Sequence, residues 1–238
     1  MAAAFKQYVS TGVPFETLDS TSNMALHFNS KSRPPLCYLS NFHGTAETGI
    51  PEFAYQSQKF SGAKIMALMA RMEACSGEEF LEYLMALQPR KKWSGGQKCY
   101  WFKGSVPRSE DGRLLFNEAE PIRGILAKLV GGAVKSKPRQ RILARLAGGP
   151  FNVLAEVDDN QKRQQMLFIL RHKFADPFFG DILRATGDAV LHEKPMRGNA
   201  GPWTYKWDAK DPQKSGGDWL GQLLMQVRDE IREDEMDL

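Results

Sequence analysis

Apolar residues in this chain recur at three- and four-residue spacings in segment after segment, while runs that alternate or continue as a strand would are few and short. This pattern narrows the fold more than any other feature. A period of 3.6 buries one stripe of a helix, whereas a half-buried strand needs a period of two. Ile65, Leu68, Met69 and Met72 form one stripe, and Met166, Ile169, Leu170 and Phe174 form another. Leu220, Leu223, Leu224, Val227 and Ile231 form a third. The spacing predicts helices over 64–72, 78–87, 121–130, 140–146 and 161–174, and a last one from about Asp218. Pro51 opens a further helix, with Glu52 complementing its dipole. On that helix Glu52, Tyr55 and Lys59 are expected to share a face. Asp176-Pro177 caps the helix that carries Phe178, Phe179, Ile182 and Leu183. Strands are expected at 36–39 (after Pro34-Pro35), at Tyr100-Trp101-Phe102 and at 189–193, with 1–33 an irregular lead-in. The fold class is α+β, predominantly helical, with short strands or hairpins.

A length of 238 residues suits one large domain, 1–238, at roughly 150 residues per domain. Hydrophobic content of 42% with 25% charged residues excludes wholesale disorder and allows a core that needs no staples. No apolar run approaches the roughly 18 residues that span a bilayer, so no membrane partner is expected. No charged start followed by an apolar stretch follows Met1, so no secretory signal is expected. Cys37, Cys75 and Cys99 are scattered and odd in number, which fits a reducing compartment better than a disulfide framework. The expected location is intracellular, cytoplasmic or nuclear.

Charge is uneven along the chain. Residues 88–145 carry 14 Lys/Arg against 4 acidic residues, an excess of +10, whereas 208–238 carries 9 acidic residues against 4 basic ones. A basic middle can gather phosphates from a nucleotide or a nucleic acid. A solvated surface accounts for it equally well.

The common catalytic and cofactor motifs are absent. There is no Walker loop, no GxGxxG after a strand and no GxSxG elbow. His27, His43, His172 and His192 never reach zinc-ligand spacing with the cysteines, so neither metal nor cofactor is expected. What stands out is polar residues in unusual company: Asn41 after the 36–39 segment, Glu52 and Lys59 beside Tyr55 and Gln56, Glu193 ending a strand, and Asp218 beside Trp219. Singly, each has a plain structural explanation as a cap, a surface ion pair or a turn residue.

Together, in four ordered blocks, they resemble the NADAR (YbiA-like) family over most of the chain. The blocks are Leu39-Ser40-Asn41-Phe42; Glu52-Phe53-Ala54-Tyr55-Gln56-Ser57-Gln58-Lys59-Phe60; Leu170-Arg171-x-Lys173-Phe174 with Thr186 and Leu191-His192-Glu193; and Gly216-Gly217-Asp218-Trp219-Leu220-Gly221 continuing to Arg228. The chain departs from the family pattern in several places. Phe53 stands where the family has His, and Asp218 where it has Asn. A mid-chain Trp is replaced near Asp158, and an Asp before the loop Trp (Trp203 or Trp207) is missing. Relative to compact members, 74–146 reads as a basic insertion, and 230–238 as an acidic tail.

The resemblance implies a hydrolase acting on N-glycosidic bonds between ribose C1 and an exocyclic amine. Its two implied substrate classes are ADP-ribose on guanine in nucleic acid and a ribosylamino-pyrimidine phosphate of riboflavin biosynthesis. An amine leaving group needs a proton, which Glu52 can donate as general acid. Lys59 can attack an opened imine at C1 or hold a phosphate, and both roles stay open. Glu193 is expected to orient water or a ribose hydroxyl, and Asn41 to bind ribose hydroxyls. Tyr55 and Trp203 offer faces for a base, Arg228 a charge for phosphate, and Phe42, Gln56, Gly217 and Asp218 complete the substrate-binding set. The basic segment favours nucleic acid, either DNA or RNA, as the carrier of the substrate. A noncatalytic ADP-ribose-binding module is the competing class, favoured by the missing Trp and Asp.

Overall fold

The computed structural model describes residues 25–87, 98–99, 104–105, 120–195, 201–206 and 216–236. The first part of the chain contains β1 (Ala25–Phe28), a 3-10 turn (Leu36–Leu39), α1 (Pro51–Ser57), β2 (Phe60–Ser61), α2 (Ala63–Ala74) and α3 (Gly77–Ala86). Then come β3 (Lys98–Cys99), β4 (Gly104–Ser105), α4 (Glu120–Gly131), a 3-10 turn (Gly132–Lys135), α5 (Lys137–Leu146) and β5 (Asn152–Val153). The last part holds α6 (Asp159–Phe174), α7 (Pro177–Arg184), β6 (Val190–Glu193), β7 (Tyr205–Lys206), β8 (Gly216–Gly217) and α8 (Trp219–Met236). Helices dominate, and the described strands form four two-stranded sheets, so the class is α+β. Among the described residues no helix is long and apolar enough to cross a membrane.

The chain divides into two compact units, one of Met1–Gly44 with Val157–Leu238 and the other of Thr45–Glu156. In the first unit β1 and β6 pair in parallel, from Ala25 opposite Val190 to Phe28 opposite Glu193. Helix α8 lies on β6 and α6 through buried Leu220, Leu223, Leu224 and Val227, the predicted stripe. Each such side chain contributes about 1.5–3 kcal/mol on burial. Gly221 permits the close approach, since a Cβ there would stand 2.0 Å from the Leu191 carbonyl oxygen. Asp158 caps α6 in a reciprocal box with Gln161, and Asp176 caps α7 by accepting from the Phe178 N–H, as the Asp-Pro pair predicts.

In the second unit α1 packs on α4, and α2 packs on α3, α4 and α5. Their shared core includes Phe53, Ile65, Leu68, Met72, Phe80, Leu84, Leu126 and Leu143. Glu73 of α2 caps the front of α1 by accepting the Ile50 N–H, and burial holds its carboxyl above the usual range. Cys37 and Cys75 are both buried, and burial pushes the Cys75 thiol up to about 11.

Three sequence expectations need correction. The 1–33 lead-in is not wholly irregular, because Ala25–Phe28 is a strand; its partner lies far along the chain, where local pattern cannot reveal it. The 36–39 strand is a 3-10 turn instead: Tyr38 N–H donates to the Pro35 carbonyl and Ser40 N–H to that of Cys37, while Cys37 and Leu39 are still buried. Lys59 does not share a helical face with Glu52, since α1 ends at Ser57. There the chain turns into β2, and the Lys59 carbonyl accepts from Leu154 N–H beside the β2–β5 pairing, so tertiary pairing overrides the helical spacing. The aromatic strand expected at Tyr100-Trp101-Phe102 lies outside the described residues.

Candidate functional site

The sequence-predicted residues fall into two groups, one in each unit. Glu52, Tyr55, Gln56 and Lys59 belong to the second unit. Glu52 sits in the first turn of α1, where Pro51 supplies the fixed φ of a helix start. Its side chain is buried, 5% exposed, and Gln56 Nε2 one turn later donates to Oε1 at 2.7 Å. That bond occupies one of the two carboxyl oxygens. Gln56 is itself 8% exposed, and its Oε1 has no partner among the described residues. An unsatisfied buried acceptor costs on the order of 1–3 kcal/mol, so it calls for a reason such as a ligand that donates. Gly131 of α4 makes room for this amide, because a Cβ there would fall 1.8 Å from Gln56 Oε1. Tyr55 is buried, and the Lys59 ammonium lies over its ring, 4.9 Å from the centroid.

The remaining candidates lie in the first unit. Asn41 is 7% exposed; its Nδ2 is 3.6 Å from the Met166 sulfur, and its Oδ1 has no partner among the described residues. Phe42 is buried, its N–H 3.4 Å from Ser40 Oγ. The turn holding both is fixed by Lys173, a lysine only 1% exposed. Lys173 Nζ donates to the carbonyls of Tyr38 at 2.5 Å and Ser40 at 3.0 Å. It also lies 5.0 and 4.8 Å from the ring centroids of Phe174 and Phe179.

Glu193 ends β6, and its N–H donates to Asp218 Oδ1 at 3.1 Å. Asp218 is buried with φ 63, a left-handed conformation that Asp and Asn adopt more readily than other side chains. Its carboxylate also accepts from His192 Nδ1 at 2.6 Å and from the Gly221 backbone, and so clamps β6 to the start of α8. Burial nonetheless keeps the Asp218 carboxyl above the usual range, since desolvation outweighs the bonds from His192 and the backbone. Gly217 has φ 85, and a Cβ there would lie 2.6 Å from the Thr204 carbonyl oxygen. Trp203 packs edge-on against Trp219 at 5.2 Å, and its carbonyl accepts from the Leu220 N–H.

Arg228 stands apart from the others. Its Nη1 donates to Thr186 Oγ1 at 3.0 Å and to the Ala189 carbonyl at 2.8 Å, so the buried guanidinium laces α8 to the turn before β6. Its Nε lies 3.6 Å from Asp229 Oδ1. Two residues that the sequence reading names but gives no role matter here. Lys173 sits between Arg171 and Asp176 in a charged stretch, where nothing local marks it as the buried one. His192 looks like a lone histidine, yet its ring is bonded to Asp218 and stacked 3.9 Å from Tyr205 at 16°. Trp207 lies outside the described residues, and no cluster of three or more His, Cys, Asp or Glu among the described ones could hold a metal.

Comparison with family models, with curated proteins and with solved structures finds no match.

Proposed function

We propose that this chain is an N-glycosidase of the NADAR (YbiA-like) type that removes ADP-ribose from guanine in nucleic acid. The observation that carries the reading is the buried Glu52 with its single described hydrogen bond, from Gln56, beside the unpartnered Gln56 Oε1. A carboxyl group is the chemistry a general acid needs at the departing amine. The roles then follow from the bond to be broken. Opening of the ribosylamine gives an imine at C1 and a hydroxyl at O4. The Lys59 amine adds to C1, and Glu52 protonates the departing exocyclic amine of guanine as the C1–N bond breaks. Water then hydrolyses the lysine imine, releases ADP-ribose and restores the amine.

The choice of nucleic acid over a small riboflavin intermediate rests on the +10 excess over residues 88–145, which a single small phosphate would not require. An intracellular, cytoplasmic or nuclear site belongs to the same proposal. The test is turnover by the full chain on an oligonucleotide bearing ADP-ribosylated guanine, compared with the ribosylamino-pyrimidine phosphate. Release of ADP-ribose from the first alone supports the reading. Hydrolysis of the second alone transfers the activity to small metabolites, and binding of ADP-ribose without turnover of either makes the chain a binding module.

A further inference from the structure

Helix α5 has the sequence Lys137-Pro138-Arg139-Gln140-Arg141-Ile142-Leu143-Ala144-Arg145-Leu146, with four cations and no acid. Lys137, Arg141 and Arg145 fall at i, i+4 and i+8, on one face, and all three are exposed. Among the described residues none of the three has an acidic partner; the nearby Glu156 pairs with Lys135 instead, at 3.7 Å. Like charges at this spacing cost about 0.2–0.5 kcal/mol per pair in a helix, so the row works against the helix unless an anion lies along it.

A groove of about 520 Å³ is lined by Lys137, Gln140 and Arg141 of this helix and by Phe151 and Asn152, with Arg145 one turn beyond Arg141 outside its lining. Val134, Pro150 and Val153 add apolar surface. Gln140 Nε2 donates to the carbonyls of Ala133 and Val134, which fixes the amide in place. Phe151 is half-buried and braced edge-to-face against Phe60 at 5.5 Å. All of these residues belong to the second unit.

We propose that this groove binds a segment of single-stranded nucleic acid, with successive phosphates along Lys137, Arg141 and Arg145 and an unstacked base against Phe151. Four residues of helix advance about 6 Å, so the three cations form a ladder along the axis suited to consecutive phosphates of one strand. One phosphate would engage only part of that ladder. A duplex hides its base faces, whereas an apolar wall beside a cationic row is the pairing that single strands use. The groove deepens the nucleic-acid part of the proposed function and rests on it for its biological sense. Binding of unmodified DNA is read without turnover, so failure of the groove and failure of the glycosidase reading are separately visible.

The test is fluorescence anisotropy of the full chain with a labelled oligothymidylate of about 15 nucleotides, over a salt series. A K137Q/R141Q/R145Q variant should lose affinity tenfold or more. Its log–log salt slope should flatten by about 2, since each phosphate contact on a single strand contributes about 0.7. A control variant with the same charge loss elsewhere, K31Q/R33Q/K206Q, should bind within about twofold of the parent. Equal losses in both variants would reduce the effect to net charge and overturn the proposal. So would wild-type binding by the α5 variant, equal affinity for a duplex of the same length, or binding of phosphatidylserine vesicles in place of the oligonucleotide.

Discussion

His192 Nδ1 lies 2.6 Å from the Asp218 carboxylate, and that carboxylate also accepts the backbone N–H of Glu193 and of Gly221. One buried side chain thus ties the last residue of β6, a candidate catalytic carboxylate, to the first turn of α8. It does so from φ 63, so backbone conformation and side-chain chemistry both depend on the residue type.

Asp218 variants should separate these two dependencies. Asp218→Ala loses the cap, worth about 1 kcal/mol, and forces a Cβ-bearing residue without a local hydrogen bond into the left-handed region, about 1–2 kcal/mol more. Asp218→Gly loses the cap but not the conformation, and should be the milder of the two by about 1 kcal/mol. Asp218→Asn keeps both the conformation and an acceptor. Because burial raises the Asp218 carboxyl above its ordinary 3.8, its protonation favours the folded state. That contribution is fully present below 3.8 and is lost as pH rises through the raised value. Urea midpoints at pH values from acid to neutral should therefore fall more steeply for the parent than for Asp218→Asn. Identical slopes would show that the carboxyl carries no such linkage.

Gly131 and Gln56 should behave as a coupled pair. A Cβ at position 131 would overlap Gln56 Oε1 at 1.8 Å and Cδ at 2.4 Å, so Gly131→Ala must displace the amide that holds Glu52. Turnover should fall tenfold or more, while stability changes little, because the gain of up to about 1 kcal/mol for Ala over Gly within a helix offsets the displacement. Adding Gly131→Ala to Gln56→Ala should cost almost nothing further, since the obstacle is already gone. Additive losses in kcat/KM would sever the proposed link.

Lys173→Met keeps most of the aliphatic stem but strands the carbonyls of Tyr38 and Ser40. Each loss is worth on the order of 1–3 kcal/mol. Unfolding midpoints should drop accordingly, and amide hydrogen exchange at residues 40–42 should accelerate more than in α8. Uniform acceleration across the first unit would mean that Lys173 supports the fold at large rather than the Asn41 turn.

How much of this was legible beforehand follows from the range of each interaction. The stripes at Ile65–Met72 and Met166–Phe174 are local and periodic, so the helices and much of their core faces could be read directly. The β1–β6 pairing joins Phe28 to Glu193 across most of the chain, and Ala25-Leu26-His27-Phe28 alone contains no pattern that demands a strand. Leu36-Cys37-Tyr38-Leu39 has strand-like residues, yet it serves its buried Cys37 and Leu39 equally well as a turn. The site shows the same division. Glu52 and Gln56, one helical turn apart, could be placed together from spacing, whereas the Lys173 contacts with Tyr38 and Ser40 and the bond between His192 and Asp218 exist only through the fold.

Glu52→Gln keeps the shape of the side chain and its neighbour but cannot deliver a proton to the departing amine. General acid catalysis contributes typically about 10²–10⁴-fold, and kcat should fall by at least that range's lower end with KM little changed. A variant retaining a tenth of the rate would remove Glu52 from the proposed role.

Lys59 offers the most exposed test of the mechanism. Its ammonium lies 4.9 Å from the Tyr55 ring centroid, a contact worth about 0.5–1 kcal/mol at a partly exposed site. Borohydride added during turnover should reduce the lysine imine to a secondary amine and trap a covalent adduct. Its mass should correspond to the ADP-ribosyl portion of the substrate, on the peptide containing Lys59. Lys59→Arg should lose both adduct and activity, because guanidinium keeps the charge but stays protonated at any working pH. Near-parental activity of Lys59→Arg with no trapped species would assign Lys59 to phosphate or ribose binding, and leave Glu52 to act with water alone.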